Sequence, residues 1–221
     1  MAATKRPAQK RPVVKNKPDR GVPVLGIVLG VVAVLLIVAV MVAGGDQLGG
    51  SEFGEVTVVG AALPVVLDSN PVDAADDPAF GMTIPEISGQ DFDGNTVEIN
   101  NDGTARAILF VSHSCPHCQD EIPEVQAWLD DGGGVTGVDI VTVSTSASSA
   151  AGNWPPSKWL AGEGWEQPVI ADDSDNTVFF AFGGQVIPYW VFVDAAGTVT
   201  RRNAGRMDVR ALQAAMNETL R

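Results

Sequence analysis

The stretch Ser112-His113-Ser114-Cys115-Pro116-His117-Cys118 decides how the rest of the chain is read. It holds both cysteines and both histidines of the 221 residues. An apolar run, Ala107 to Val111, precedes it, and a run with helical spacing, Gln119 to Leu129, follows it. The first run predicts a buried strand. The second predicts a helix, because Ile122, Val125 and Leu129 fall on one face, joined by Trp128. A C-x-x-C pair at a strand-to-helix junction has a chemistry of its own. Cys115 would cap the helix with Pro116 at the first helical position, where a missing N–H costs nothing. The free N–H groups and the positive end of the helix then favour a thiolate at Cys115. His117, as an imidazolium, would favour it further, and Cys118 lies one turn on, placed to attack a mixed disulfide.

The same spacing also occurs as half of a zinc site. Here there is no second C-x-x-C and no distant histidine, so Cys115, Cys118, His113 and His117 would have to supply four ligands from seven consecutive residues. That crowding disfavours a metal, and no metal, flavin or nucleotide cofactor is implied. Two cysteines in one tight motif also leave none for a structural disulfide framework.

Outward from the motif, the sequence divides by composition. Residues 1–21 form a basic tail. Lys5, Arg6, Lys10, Arg11, Lys15, Lys17 and Arg20 stand there against the single acid Asp19. The chain totals 14 bases and 27 acids, so 7 bases and 26 acids remain after residue 20, a net of -19. An acidic body of this kind excludes nucleic acid as an expected partner. Residues 22–43, Val22 to Ala43, carry no charge. At about 1.5 Å per residue they would span roughly 33 Å, enough for one transmembrane anchor. The basic flank before the run places the N-terminus in the cytoplasm and the remainder outside it. Met41 spoils a small-x-small cleavage site ending at Ala43, which favours an uncleaved anchor over a signal peptide.

Residues 44–80 read as a linker with possible edge strands at Glu55–Val59 and Leu63–Leu67. Residues 81–221 alternate strand and helix signals, which predicts an α/β domain. Strands are expected at Thr96–Ile99, Ala107–Val111, Val138–Ser144, Pro168–Ile170, Tyr189–Asp194 and Thr198–Arg202. Helices are expected at Gln119–Leu129, Pro155–Ala161 and Thr177–Phe182, with a closing amphipathic helix capped by Asp208.

With these pieces in place, the chain resembles the thioredoxin superfamily, and within it the membrane-anchored TlpA-like thiol–disulfide oxidoreductases. The resemblance covers roughly residues 80–220. It rests on the strand Ala107–Val111, on Cys115-Pro116-His117-Cys118, and on Pro123 eight residues after Cys115. Ile187-Pro188 before the strand Tyr189–Asp194, and Gly197 in the turn that follows, complete it. The resemblance implies a thioredoxin-like fold with a mixed central sheet and helices on both faces. It implies that Cys115 and Cys118 are the catalytic pair and that Pro116 and His117 tune its potential. It also implies that Ile187 and a cis Pro188 shape the substrate groove. The partners would be cysteine-containing envelope proteins and a further redox partner. The direction stays open between an oxidant and a reductant such as serves cytochrome c maturation. A non-catalytic assembly protein, a metallochaperone, or a docking subunit of a membrane complex is the alternative.

The sequence departs from the family in two telling places. Ser114 stands where a tryptophan usually precedes the first cysteine. Leu109 stands where thioredoxin carries a buried acid, so a proton route through that position is lost. Elsewhere, Trp154, Trp159 and Trp165 are expected in loop or core packing rather than as an aromatic rim for substrate. Arg201, Arg202 and Arg206 are expected on a solvated face. Asp172, Asp173 and Asp175 are expected in a polar turn. His113 is open between tuning Cys115 and simple exposure near the active surface.

Overall fold

The structure, a computed structural model, describes residues 51–65 and 76–221. The basic tail and the anchor expected at 22–43 lie outside the described residues, as do parts of the 44–80 segment. Among the described residues no helix is long and apolar enough to cross a membrane.

The strand Ala105–Val111 is buried at every residue, and this makes it the axis of the sheet. Its side chains alternate between two cores. Ile108 and Phe110 enter one, while Ala105, Ala107, Leu109 and Val111 enter the other. A strand covered on both faces favours apolar residues throughout, which is why Ala107–Val111 lacks the polar alternation of a surface strand; Arg106, near the start of the strand, is the exception, its guanidinium held by Asn100 O and Asp102.

Among the described residues there are eight strands, that axis included, and four helices, in the order β1 (Thr57–Val59), β2 (Glu86–Gln90), β3 (Thr96–Ile99), β4 (Ala105–Val111), α1 (Pro116–Asp130), β5 (Val138–Ser144), α2 (Pro156–Gly162), β6 (Val169–Ala171), α3 (Thr177–Ala181), β7 (Tyr189–Val193), β8 (Val199–Ala204) and α4 (Val209–Glu218). The strands form one sheet in the order β1-β2-β6-β5-β4-β7-β8, with β3 paired to β2. β4 pairs in parallel with β5, and β5 in parallel with β6. β7 joins β4 antiparallel, with Ile108 opposite Val191, and β8 joins β7 antiparallel. The sheet is therefore mixed. α1, α2 and α4 pack on the face that holds Leu109 and Val111, and α3 packs on the face that holds Phe110.

Two features place the chain ahead of the cysteine motif. β2 carries a weak strand signal, because Glu86-Ile87-Ser88-Gly89-Gln90 is short and holds a glycine. The glycine has a use here. A Cβ on Gly89 would sit 2.6 Å from Cγ2 of Ile170, so its absence lets β2 lie against β6. Of the two runs expected as edge strands, Thr57–Val59 becomes β1 and pairs with β2. Leu63–Val65 is not a strand. Leu63 is instead a core residue whose N–H donates to Ala181 O at 2.8 Å. The folded body thus takes in residues from within the 44–80 segment.

Of the three arginines expected on a solvated face, Arg206 is exposed and Arg201 half-buried, but Arg202 is not solvated. Arg202 is buried and donates to Asp77 through Nε at 2.7 Å and through Nη2, while Nη1 reaches Pro64 O at 2.7 Å. A sheet position gains a buried guanidinium only if its donors are filled, and here residues distant in sequence fill them. Arg201 pairs with Glu218, and Arg206 pairs with Glu124.

Candidate active site

Local chain geometry presents the two cysteines differently. β4 ends at Val111, and the chain turns through Ser112 and His113, with Cys115 N–H donating to Ser112 O at 3.1 Å. Cys115 is the N-cap of α1 with an extended backbone (φ -83°, ψ 117°), and Pro116 opens the helix. The N–H groups of Cys118 and Gln119 both donate to Cys115 O at 3.1 Å. Cys115 is half-buried and Cys118 fully buried, both as free thiols. Pro116 and His117 are exposed on the first helical turn. Pro123 lies inside the same helix, which continues through it to Asp130.

Opposite the cysteines, the Ile187–Pro188 peptide bond is cis and leads directly into β7. Cys115 Sγ lies 3.5 Å from Ile187 O. The fold therefore brings together Cys115, Cys118, Ile187 and Pro188, which are 72 residues apart at the Cys115–Ile187 contact. Pro116 and His117 border them on the solvent side. Ile187 is half-buried and packs against both cores.

The electrostatics of the buried thiol follow from its surroundings. Burial pushes the Cys118 thiol well above its usual range. The backbone of Ser112 pulls against this, while its hydrogen bond to Cys115 and the negative charges of Cys115 and Glu121 add to the rise. Cys118 thus holds its proton until a base removes it.

Glu121 is the functional candidate that sequence reasoning missed. It lies one turn beyond Cys118 on the buried face of α1 and is completely enclosed. Its Oε1 accepts from Trp190 Nε1 at 2.9 Å and from Met207 N–H at 2.8 Å. Its Oε2 has no hydrogen-bond partner among the described residues. Burial pushes the carboxyl up to about 7, against the pull of the Met207 N–H, the Trp190 indole and the Arg206 charge. A buried carboxylate with one unfilled oxygen is costly, so the group is poised to take a proton near neutral pH. The signal was present in the sequence: an acid at i+3 from Cys118, on the stripe shared with Ile122 and Val125.

His113 resolves differently from either expectation. It neither reaches Cys115 through its ring nor lies exposed. It is 0% exposed, with Nδ1 2.7 Å from Gly152 O and Nε2 accepting from Ser148 N–H at 3.1 Å. Trp159 and Trp165 are buried as packing residues, whereas Trp154 is 37% exposed and lies edge-on to His113. The Asp172–Asp175 segment is a set of backbone caps. Asp172 accepts from Asp173, Val178 and Phe179 N–H groups, and Asp173 from Asp175 and Thr177. Among the described residues no group of three acidic, cysteine or histidine side chains is placed to hold a metal ion.

A sequence model described as the AhpC/TSA family matches residues 80–202, more than half of the chain. No curated protein matches the sequence. Among solved structures, the thioredoxin domain of a thiol-disulfide oxidoreductase from Bacteroides vulgatus is similar at 21% identity and a TM-score of 0.51, over 65% of this chain and 99% of that one. A thiol:disulfide interchange protein of the thioredoxin family from Chlorobium tepidum TLS is similar at 23% identity and a TM-score of 0.51, over 64% of this chain and 97% of that one. These likenesses are of fold: the described domain is thioredoxin-like, with a mixed sheet.

Proposed function

The chain belongs to the AhpC/TSA family, and from that membership and the geometry around Cys115 we propose that it is a thiol–disulfide oxidoreductase. The observation that carries the reading is the asymmetry of the pair. Cys115 is reachable and faces the cis Pro188, while Cys118 is sealed behind it with its proton held. Exchange needs one sulfur that meets the client and a second that resolves the adduct.

The Cys115 thiolate attacks one sulfur of a client disulfide, forming a mixed disulfide and releasing the other client sulfur as a thiolate. Glu121 takes the proton from Cys118. The Cys118 thiolate then attacks Cys115 Sγ, forming the Cys115–Cys118 disulfide and releasing the second client thiolate. The client gains two electrons and the pair loses two. Run backwards, the same steps oxidise a client dithiol. Pro116 and His117 sit where they tune the balance between the two senses, and Ile187-Pro188 forms the wall along which client backbone lies.

Within this reading the protein is a TlpA-like enzyme. It is held to the cell membrane by residues 22–43, with its N-terminus cytoplasmic and its thiol domain acting on cysteine-containing envelope proteins. The uncharged run of 22 residues and its basic flank support that placement. Protease added to intact spheroplasts should remove the thiol domain, and protection of the domain would refute it.

The decisive experiment is trapping. Cys118→Ser should accumulate a dithiothreitol-sensitive mixed disulfide with a client, and Cys115→Ser should accumulate none. Absence of any adduct in Cys118→Ser, with the wild type inert toward small disulfides, would overturn the oxidoreductase reading. A measured potential of the Cys115–Cys118 pair against glutathione assigns the direction.

A further inference from the structure

We propose that His113 is a positioning residue of the exchange site, tying the turn that presents Cys115 to the loop that follows β5. The inference rests on exchange at Cys115 and deepens it.

The geometry defines the proton on the ring. A backbone N–H can only donate, so the Ser148 N–H contact at 3.1 Å leaves Nε2 bare. Nδ1 then carries the hydrogen and donates it to Gly152 O at 2.7 Å. Both nitrogens are filled by backbone, and the ring is fully enclosed. His113 therefore has no free nitrogen with which to exchange a proton with Cys115, and its influence is mechanical.

That influence is concentrated where it matters. His113 O accepts from Gln119 Nε2 at 2.8 Å on α1 and from Asn153 Nδ2 at 3.4 Å on the loop. Ser112 Oγ donates to Ser146 O at 3.3 Å. The two residues ahead of Ser114 and Cys115 are thus tied to the loop at Ser146, Ser148, Gly152 and Asn153. The loop does not hold its own shape cheaply. Ser146 (φ 52°) and Asn153 (φ 59°) both sit in the left-handed region, at about 1 kcal/mol or more for a residue with a Cβ. Its distal end is held from elsewhere: Trp154 lies against His113 on one side and Phe53 on the other, and Glu52 accepts from Ser157 N–H and Oγ. The loop is therefore a fixed post, and His113 is the pin between that post and the Cys115 turn. A shift of the turn moves Cys115 Sγ relative to Ile187 O and Pro188, and misplacement on the scale of an ångström is costly to a reaction that depends on alignment.

The experiment compares His113→Ala, His113→Asn and His113→Gln in the full chain. It reads the second-order rate of Cys115 with 5,5′-dithiobis(2-nitrobenzoate), the potential of the cysteine pair, and hydrogen exchange at the Ser148 amide. Asn can keep the donor toward Gly152 O, and Gln offers an acceptor toward Ser148. His113→Ala should speed Ser148 exchange, slow Cys115 by about tenfold or more, and shift the potential, with partial recovery in at least one amide variant. If His113→Ala fails to fold, the two amide variants carry the same readouts. Freed Ser148 exchange with Cys115 rates and potential unchanged in every folded variant would overturn the inference. A folded wild type that does not react with the reagent at all would instead count against the oxidoreductase reading.

Discussion

Two buried carboxylates divide the molecule into a region built for stability and a region built for chemistry. Asp77 lies under the β7–β8 edge, with both oxygens filled by Arg202 and one also by the Ala79 N–H. Burial pushes its carboxyl up, but the Arg202 and Ala79 hydrogen bonds and the Arg202 charge outweigh this and hold it below the usual value. Glu121 lies under α1 beside the cysteines. Among the described residues it receives two neutral donors on one oxygen and none on the other, and burial carries it up to about 7. The residue class is similar and the enclosure comparable. What differs is whether a cation was supplied. The Arg202 charge fixes Asp77 as a structural element, and the lack of such a partner leaves Glu121 to change protonation near neutral pH.

The largest expected effect falls on the structural side. Arg202→Met removes the cation and leaves Asp77 buried without compensation. Stability should fall by about 3–5 kcal/mol, read as a shift in the urea unfolding midpoint. Exchange per folded molecule should be unchanged. A slowed exchange in the folded fraction would show that the two regions are coupled.

The pH dependence of stability separates the two groups next. The Glu121 carboxyl has a higher folded than unfolded value, so its contribution is fully present below about 4.5 and is lost as pH rises through about 7. A rise from 4.5 to about 7 corresponds to about 3 kcal/mol. Asp77 has the opposite sign: its contribution is present above 3.8 and is lost as pH falls through the lower folded value. Unfolding free energies measured from pH 5 to pH 8 should decline in the wild type and be nearly flat in Glu121→Gln. An equal decline in both would remove Glu121 as the cause.

Chemistry should respond at Glu121 with a smaller free-energy change. Without a base for the Cys118 proton, Glu121→Gln should prolong the mixed disulfide by about 10²-fold at neutral pH, while the first attack by Cys115 keeps its rate. Quench-flow separation of the two steps checks this. Slowing of the first step alone would point to damage at Cys115 rather than loss of a base.

Legibility from sequence follows the same division. β4, α1, β5 and β7 were readable because each buries a contiguous or periodic apolar set, and Asp208 was readable as a cap because capping is local. The cysteine pair stood out by its C-x-x-C spacing, while Pro188 was singled out only by the resemblance to the thioredoxin superfamily; the residues alone gave no more than an X-Pro bond before a strand. Glu121 and His113 were harder. Each is a polar residue whose role depends on what a distant strand or loop delivers: Trp190 and Met207 to the one, Ser148 and Gly152 to the other. Arg202 was misread for the same reason, since its partner Asp77 is 125 residues away. β2 escaped notice because Gly89 lowers its strand signal while serving a close approach that only the packed sheet reveals.

The segment Glu52–Phe53 tests where the boundary between the two regions runs. Glu52 caps α2 through Ser157, and Phe53 packs against Trp154 in a tilted pair with ring centroids 6.4 Å apart. These contacts resemble Arg202 in kind, since they join residues about a hundred positions apart. They differ in place, because Trp154 also touches His113. Loss of a capping acceptor costs about 1 kcal/mol, so Glu52→Ala should lower stability by about that amount. If the arm belongs with Arg202, exchange per folded molecule will not change. If it belongs with the site, Cys115 will react a few-fold more slowly in Glu52→Ala and in Phe53→Ala, in the same direction as His113→Ala and by less. The second outcome is expected, because the arm holds the loop while His113 holds the turn to it, and the effect of a support should diminish with each contact it passes through.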